Sequence, residues 1–390
     1  MPTYTKVLSR PGVIRIVASQ LAARFPFGMM TLVFVLHIHE KTGSYAIAGL
    51  AVGLETLGVA ISGPVLSRWM VILGVRRLLL TVSSITSLAI LAIGVIPMPA
   101  IGMIALCFLV GLSSPPIQPA VRTIYPTLVD KRGMGTLYSL DASLQEIIWV
   151  LGPVAATFIA AGASTEAGVI VMAVIQIVGA LWFCANPEVA KLKLPKPSRR
   201  LGGVLRQKLI VANAVIGGLL VGSFSGVEVG TVALFERSTA GFVIAALSLG
   251  SLIGGFAFGH LAKTQYALTK LLALITFGYG LAFIAPDNSL WLAAVWFVAG
   301  LGVAPALGLL GAIIGASVKS QDAPEAYGWV GTGHSIGFAA GAAVTGFVIE
   351  ALNPASALLV AVVCSAMAAG VAWYSASFTP VISRHGEEET

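Results

Sequence analysis

Between residues 12 and 378 the chain is a succession of apolar runs, and almost no charge interrupts them. Each run is long enough for an α-helix to cross the hydrocarbon core of a bilayer, which takes about 20 residues. The runs fall near 12–37, 44–67, 76–96, 101–123, 137–162, 166–186, 209–234, 239–262, 269–285, 290–316, 326–350 and 355–378. A helix satisfies its own backbone polar groups in lipid, whereas an open strand does not, and the alternation of a barrel strand is absent. Composition agrees. Only 10% of residues are charged and 57% are hydrophobic, against about 25% charged in an ordinary soluble domain. The fold class implied is an all-α polytopic membrane protein with twelve transmembrane helices.

An even number of spans puts both termini on one side. With the N-terminus inside, the inner ends collect Lys6, Arg10, Arg15, Arg68, Arg76, Arg77, Arg122, Lys131, Arg132, Lys263, Lys270, Lys319 and Arg384. Outside there are Lys41 and Arg237. This asymmetry predicts a multi-pass protein of the plasma (inner) membrane with both termini cytoplasmic. The longest polar stretch, 187–208, adds seven more basic residues and divides the chain: 1–186 and 209–378 as six-helix bundles, 187–208 as a basic linker near lipid headgroups, 379–390 as a tail. The net charge of +7 is therefore read as topology. Nucleic-acid binding would need a basic face on a soluble domain. Cys107, Cys184 and Cys364 lie inside apolar runs and fit neither a metal site nor a disulfide framework. The first run carries Arg15 and Arg24 and has no small-residue cleavage pattern, so it does not read as a signal peptide.

The halves resemble each other. "VGLSSPPIQPAVRTIYPTLV" from residue 110 aligns without a gap on "AGLGVAPALGLLGAIIGASV" from 299, an offset of 189 that also places Tyr138 on Tyr327, Gly152 on Gly341 and Phe158 on Phe347. "AIAGLAVG" from 46 aligns on "VIAALSLG" from 243 at offset 197. The first half is longer by eight residues between these blocks, and the surplus is assigned to the loop "GPVLSRWMVILGVRRLLL", 63–80, against its mate around "LAKTQYALTK". Internal repeats of this size are a signature of transporter folds.

That loop carries a family signature in altered form. The family's pattern is Gly, three residues, Asp-Arg, one residue, Gly, then basic residues; here Ser67 takes the first Gly, Val71-Ile72 take Asp-Arg, and Gly74, Arg76 and Arg77 remain. "WVLGPVAAT" keeps the Gly152-Pro153 pair of an antiporter motif, with Ile148, Ala156 and Thr157 replacing its flanking glycines. On these residues and the twelve-span plan the chain resembles the major facilitator superfamily. "RFPFGM", "PPIQPAVR" and "DASLQEIIWVLGP" resemble its actinobacterial drug and metabolite efflux permeases. The resemblance implies two bundles rocking about a central cavity by alternating access. Helices 1, 4, 7 and 10 would line the cavity, and 2, 5, 8 and 11 would form the bundle interface. It also implies a small-molecule substrate and proton coupling. In relatives the loop Asp contacts a neighbouring helix terminus and holds the cytoplasmic side shut. Its loss predicts a weak lock and a resting preference for the inward-open state.

Ionisable groups at mid-membrane are costly, about 2.5–3.5 kcal/mol each on insertion scales, so each needs a reason. Arg24 lies ~18 Å along the first helix, beside Pro26, where a break would open toward a cavity; it is read as a substrate contact or as the centre of a charge pair, against a structural arginine. Glu146 and Glu55 are candidate proton carriers with Arg24 as fixed partner, against a permanent salt bridge or a packed acid. His334 falls on Gln145 in the repeat and is a candidate member of this network, or a neutral packed histidine. Phe27, Trp149 and Glu228 are candidate cavity residues. Arg68, Arg76, Arg77, Arg122 and Asp141 are candidates for the cytoplasmic gate, with surface snorkelling or helix capping as the plainer roles. Pro115, Pro116 and Pro119 must bend or break helix 4; Pro305 suggests the same in helix 10, and Pro26, Gly152 and Pro153 mark further bends. Tyr125, Tyr327 and Trp329 read as headgroup-level anchors.

No Gly-Lys-Ser/Thr phosphate loop is present. The Gly-x-Ser-x-Gly-like spacing at Gly222–Gly226 lies in an apolar run, without the strand–turn context a nucleophile needs. The chain therefore reads as a non-enzyme without metal or cofactor. The leading expectation is a monomeric secondary active exporter of a small amphiphilic or drug-like molecule, driven by protons, with lipid, substrate and proton as its partners. Two rivals stand beside it: uptake or facilitated diffusion of a sugar or organic anion, and a non-transporting receptor or envelope-assembly partner. The scarcity of Asn and Gln in the spans weighs against a sugar; the altered loop favours the non-transporting reading.

Overall fold

The structure, a computed structural model, describes residues 4–192, 200–235, 237–258 and 266–379. Twelve helices in it are long and apolar enough to span a membrane: α1 Val13–Thr42, α2 Ile47–Leu73, α3 Val75–Val95, α4 Ala100–Leu128, α5 Gly133–Gly162, α6 Thr165–Ala185, α7 Lys208–Leu234, α8 Thr239–Phe258, α9 Ala267–Ile284, α10 Ser289–Ser317, α11 Ala323–Ala351 and α12 Pro354–Phe378. Polar side chains start several of them by accepting from otherwise orphaned backbone N–H groups: Ser44 from Ile47, Asp130 from Gly133, Ser164 from Ala167 and Asn288 from Trp291. The connection from α6 to α7 is the long one. It holds a short helix, Pro187–Lys191, and a 3₁₀ turn, Gly203–Arg206, each pinned by one buried valine, Val189 and Val204. The face bearing it is called the linker side below, and the opposite one the far side.

Within the first half α1 packs on α5 and α6, α2 on α4, and α3 on α6. Within the second, α7 packs on α11 and α12, α8 on α10, and α9 on α10 and α12. The halves meet where α2 packs on α11 and α5 on α8 and α10. The apolar core shows where that contact lies. One cluster, including Met70, Ile124, Tyr125 and Leu137 of the first half with Ile314, Ala326, Tyr327 and Val330 of the second, runs across both halves on the linker side. A far-side cluster around Met29, Phe34, Ile90 and Met172 belongs to the first half alone. A third, around Leu272, Tyr279 and Trp296, belongs to the second half alone.

Several expectations need correction. The 63–80 segment is not a loop: α2 continues to Leu73, α3 begins at Val75, and Gly74 alone joins them, at φ +92°, a region open to glycine and strained for other residues. An apolar, uncharged stretch such as Trp69–Leu73 has no reason to leave the helix. The mate of this segment, with Lys263, lies outside the described residues, as do Lys193, Lys196, Arg199, Arg384 and the tail from 380. Pro26 does not break α1; it sits buried inside a continuous helix whose neighbours hold it. In α4 the prolines do act. Ala100–Leu112 ends at Ser113, and Ile117–Leu128 starts after Pro115 and Pro116, with Pro119 in its first turn. Their repeat mate Pro305 lies inside an unbroken α10, because a single proline removes one donor where the pair in α4 removes two.

Candidate functional site

The linker-side contact and the far side differ along single helix faces. On α2, Ala60 accepts a hydrogen bond from Thr332 of α11 (2.7 Å), and a side chain at Gly63 would touch the Gly328 carbonyl. Gly53 and Gly49 continue that face about two and three turns outward from Ala60, and a side chain at either would meet nothing within 4 Å. Facing them on α11, Ala339 and Gly346 are exposed, and Gly346 likewise has open space before it. On α5, Ser139 donates to the Gly255 carbonyl of α8 (2.9 Å), and Glu146 accepts from Ser251 (2.8 Å). One turn and two turns on, Val150 and Val154 are exposed. The halves are thus joined on the linker side and splayed on the far side, leaving a cleft whose floor is the Glu146–Ser251 bond.

Below that floor lies a buried polar cluster. Gln20 Nε2 donates to Asp141 Oδ1 (3.0 Å), Arg24 Nη1 donates to Gln20 Oε1 (2.9 Å) and lies 3.5 Å from Asp141 Oδ1, and Arg122 Nε lies 3.7 Å from Asp141 Oδ2. The Asp141 carboxyl is fully buried, and the Arg24 and Arg122 side chains are 6% and 8% exposed. Close helix packing places these groups: Gly28 of α1 and Gly152 of α5 leave no room for a side chain between their backbones, so α1 and α5 cross there in direct contact. The repeat reproduces the crossing in the second half, with Gly222 of α7 against Gly337 and Gly341 of α11. It does not reproduce the charges.

The arrangement corrects the expected network. Arg24 is neutralised by Asp141, not by Glu55 or Glu146, because both lie farther toward the far side on other faces. Glu55 is buried against α4, with a hydrogen bond from Thr56 (3.3 Å). His334 packs its ring against Gly217 of α7, away from Glu146. Glu228 and Trp149 are exposed on the far half. Phe27 is half-buried and packs against the far-side core of the first half.

At the linker-side rim Arg68 Nη1 donates to Glu325 Oε2 (2.6 Å), and the backbone N–H of Gly202, in the linker, donates to Glu325 Oε1 (2.7 Å). This replaces the missing Asp-Arg lock with the charges reversed: the base is on α2 and the acid sits in the first turn of α11, where the helix dipole favours it. The linker side is closed, and this pair stands as a polar substitute for the lock that the altered segment lacks. Arg76 and Arg77 are exposed at the start of α3 and join no ion pair among the described residues. Sequence reasoning missed Glu325, Gln20 and Ser251. It also misplaced Tyr125 and Tyr327, which are fully or almost fully buried in the core and not at headgroup level. The signal for Tyr327 was present, in its identity with Tyr138 at the repeat offset.

The family profile described as Major Facilitator Superfamily matches residues 16–235 and 231–389. Among solved structures, a bacterial homologue of the iron transporter ferroportin, in its outward-facing state, is similar with a TM-score of 0.76 at 13% identity, over 94% of this chain and 99% of that one. The human organic anion transporter MFSD10 follows at 0.75 and 13%, over 95% and 100%, and the E. coli fucose:proton symporter at 0.71 and 12%, over 93% and 98%. At such identities these likenesses speak for the fold. No curated protein matches by sequence.

Proposed function

The chain belongs to the major facilitator superfamily, and on that premise we propose that it is a secondary active transporter that exports a small amphiphilic molecule in exchange for protons by alternating access. We place the linker side at the cytoplasm, since the described basic residues gather there and Lys41 stands on the far side. The cleft then faces outward, the state in which the ferroportin homologue was solved.

The observation that carries the proton reading is the bond from Ser251 Oγ to Glu146 Oε1, 2.8 Å, between α5 and α8 at the cleft floor. A carboxylate there accepts across the two halves. Protonation adds a donor and removes a charge at the point where the cleft ends, so proton entry from the far side biases the closure of the halves. Glu55 is a second candidate carrier, isolated from any cation described here. Arg24 and Arg122, enclosed with Asp141, are not offered to an anionic substrate; this favours an amphiphilic over an organic-anion cargo. The exposed Trp149, Val150 and Val154 supply an apolar wall on the same side.

The test is transport in proteoliposomes with an imposed pH gradient, using a panel of lipophilic fluorescent dyes and a pH-sensitive reporter inside. Glu146→Gln is expected to abolish gradient-driven dye movement while leaving dye exchange without a gradient. Undiminished gradient-driven transport by both Glu146→Gln and Glu55→Gln would remove the two acids from the mechanism.

A further inference from the structure

Tyr138 on α5 and Tyr327 on α11 are repeat mates, and their hydroxyls meet at 2.7 Å across the two halves. Each also reaches a backbone carbonyl of its own half: Tyr138 that of Arg122 (3.3 Å), Tyr327 that of Gly311 (3.0 Å). Arg122 and Gly311 are themselves mates at the same offset of 189. Two hydroxyl hydrogens serve three contacts, so the chain of bonds runs one way or the other, and losing either hydroxyl cuts the link between the halves.

The symmetry is broken at one place. The Arg122 guanidinium lies over both rings, 5.9 Å from the Tyr138 centroid and 5.5 Å from that of Tyr327. A side chain at Gly311 would stand 3.0 Å from Arg122 Nη1, and one at Gly315 would stand 2.9 and 3.0 Å from the two hydroxyls. Two arginines related by the repeat would compete for this space; the second half supplies glycine instead. Meanwhile Arg122 Nε and Asp141 Oδ2, both buried, lie 3.7 Å apart and neither makes a hydrogen bond. The two groups are already an ion pair, and the hydrogen bond between them is one small movement from forming.

We propose that the two tyrosines and Arg122 form the release catch of the linker-side gate, and that Arg122 passes from the tyrosines to Asp141 when the gate opens. With the gate closed, the guanidinium rests on the two π-faces. When α11 withdraws, Tyr327 and Gly311 leave together, and Arg122 closes onto Asp141, which stays with it in the first half. The new charge-assisted bond offsets the loss of the catch, so opening leaves no buried cation stranded. The inference rests on the halves moving as proposed above and uses neither substrate nor proton.

The experiment measures the distance across the linker side by paired spin labels at Thr127 and Ala316, both exposed there, in the full chain in lipid nanodiscs with the three native cysteines replaced. The unaltered gate gives one short distance. Tyr327→Phe, and independently Gly311→Ala, which crowds the guanidinium, are expected to raise the long-distance population roughly two- to tenfold, as loss of one hydrogen bond implies. Adding Asp141→Asn to Tyr327→Phe is expected to lower it again, since Arg24 and Gln20 touch Asp141 in both states and only the Arg122 bond is specific to the open one. Opening by Glu325→Gln but not by Tyr327→Phe or Gly311→Ala would overturn the catch and leave the transport reading standing. Opening by none of them would overturn both. Further opening on adding Asp141→Asn would overturn the handover.

Discussion

At the scale of single residues, the buried acids divide by partner. Asp141 faces two arginines and a glutamine in a site closed to solvent. Removing one member of a buried ionic cluster leaves the others uncompensated, at about 3–5 kcal/mol. Asp141→Ala is therefore expected to lower thermal stability in detergent by an amount of that order, whereas Glu146→Gln, which keeps a partner for the Ser251 hydroxyl, is expected to stay within about 1 kcal/mol. Equal losses in the two variants would deny the cluster its structural weight. That Arg24, Asp141, Glu146 and Glu55 needed partners or a protonated state was legible in the sequence, because charge in an apolar run always demands an account. Who pairs with whom was not: Gln20 carries no charge and drew no notice, and depth along a helix does not say which face a residue occupies.

At the scale of elements, helix count followed from apolar run length, while the α2–α3 joint did not. A family pattern suggested a loop where local chemistry favoured helix, and Gly74 with its positive φ is all that remains of a turn. The Gly152-Pro153 pair was read as a bend, and its geometry shows a second use. Gly152 lies against the backbone of Gly28, with a would-be side chain 2.7 Å from the Gly28 Cα. Gly152→Ala forces α1 and α5 apart, and overpacking of this kind costs about 1–3 kcal/mol. Gly135 in the same helix has nothing within 4 Å, so Gly135→Ala is expected to be neutral or slightly stabilising. Unfolding curves of the two variants side by side check this; similar curves would mean that the crossing relaxes freely.

At the scale of the whole molecule, the repeat made the two-half plan legible, and the places where the repeat fails are where the halves do different work. The first half holds the buried Arg24–Asp141–Arg122 cluster and the broken α4; the second supplies glycine where Arg122 must enter. Which side stands closed was not legible, because it depends on Arg68 finding Glu325, residues more than 250 positions apart in the chain. Alternating access now makes a demand on the splayed faces. If α2 and α11 rock together on the far side, Gly49 and Gly53 must approach Ala339 and Gly346 as closely as Gly63 now approaches Gly328. A tryptophan at Gly53 fits the open cleft and does not fit the closed one. Gly53→Trp is expected to leave thermal stability within about 0.5 kcal/mol, as for a substitution that meets open space, and to abolish dye transport in proteoliposomes. It is also expected to hold the Thr127–Ala316 distance short even with Tyr327→Phe present, since a wedge on one side prevents opening on the other. Gly63→Trp, placed on the same face where the helices already touch, is expected to do the opposite and drive the linker side open. Transport that survives Gly53→Trp would show that these faces never meet, and the two halves would then have to exchange access by some motion other than rocking.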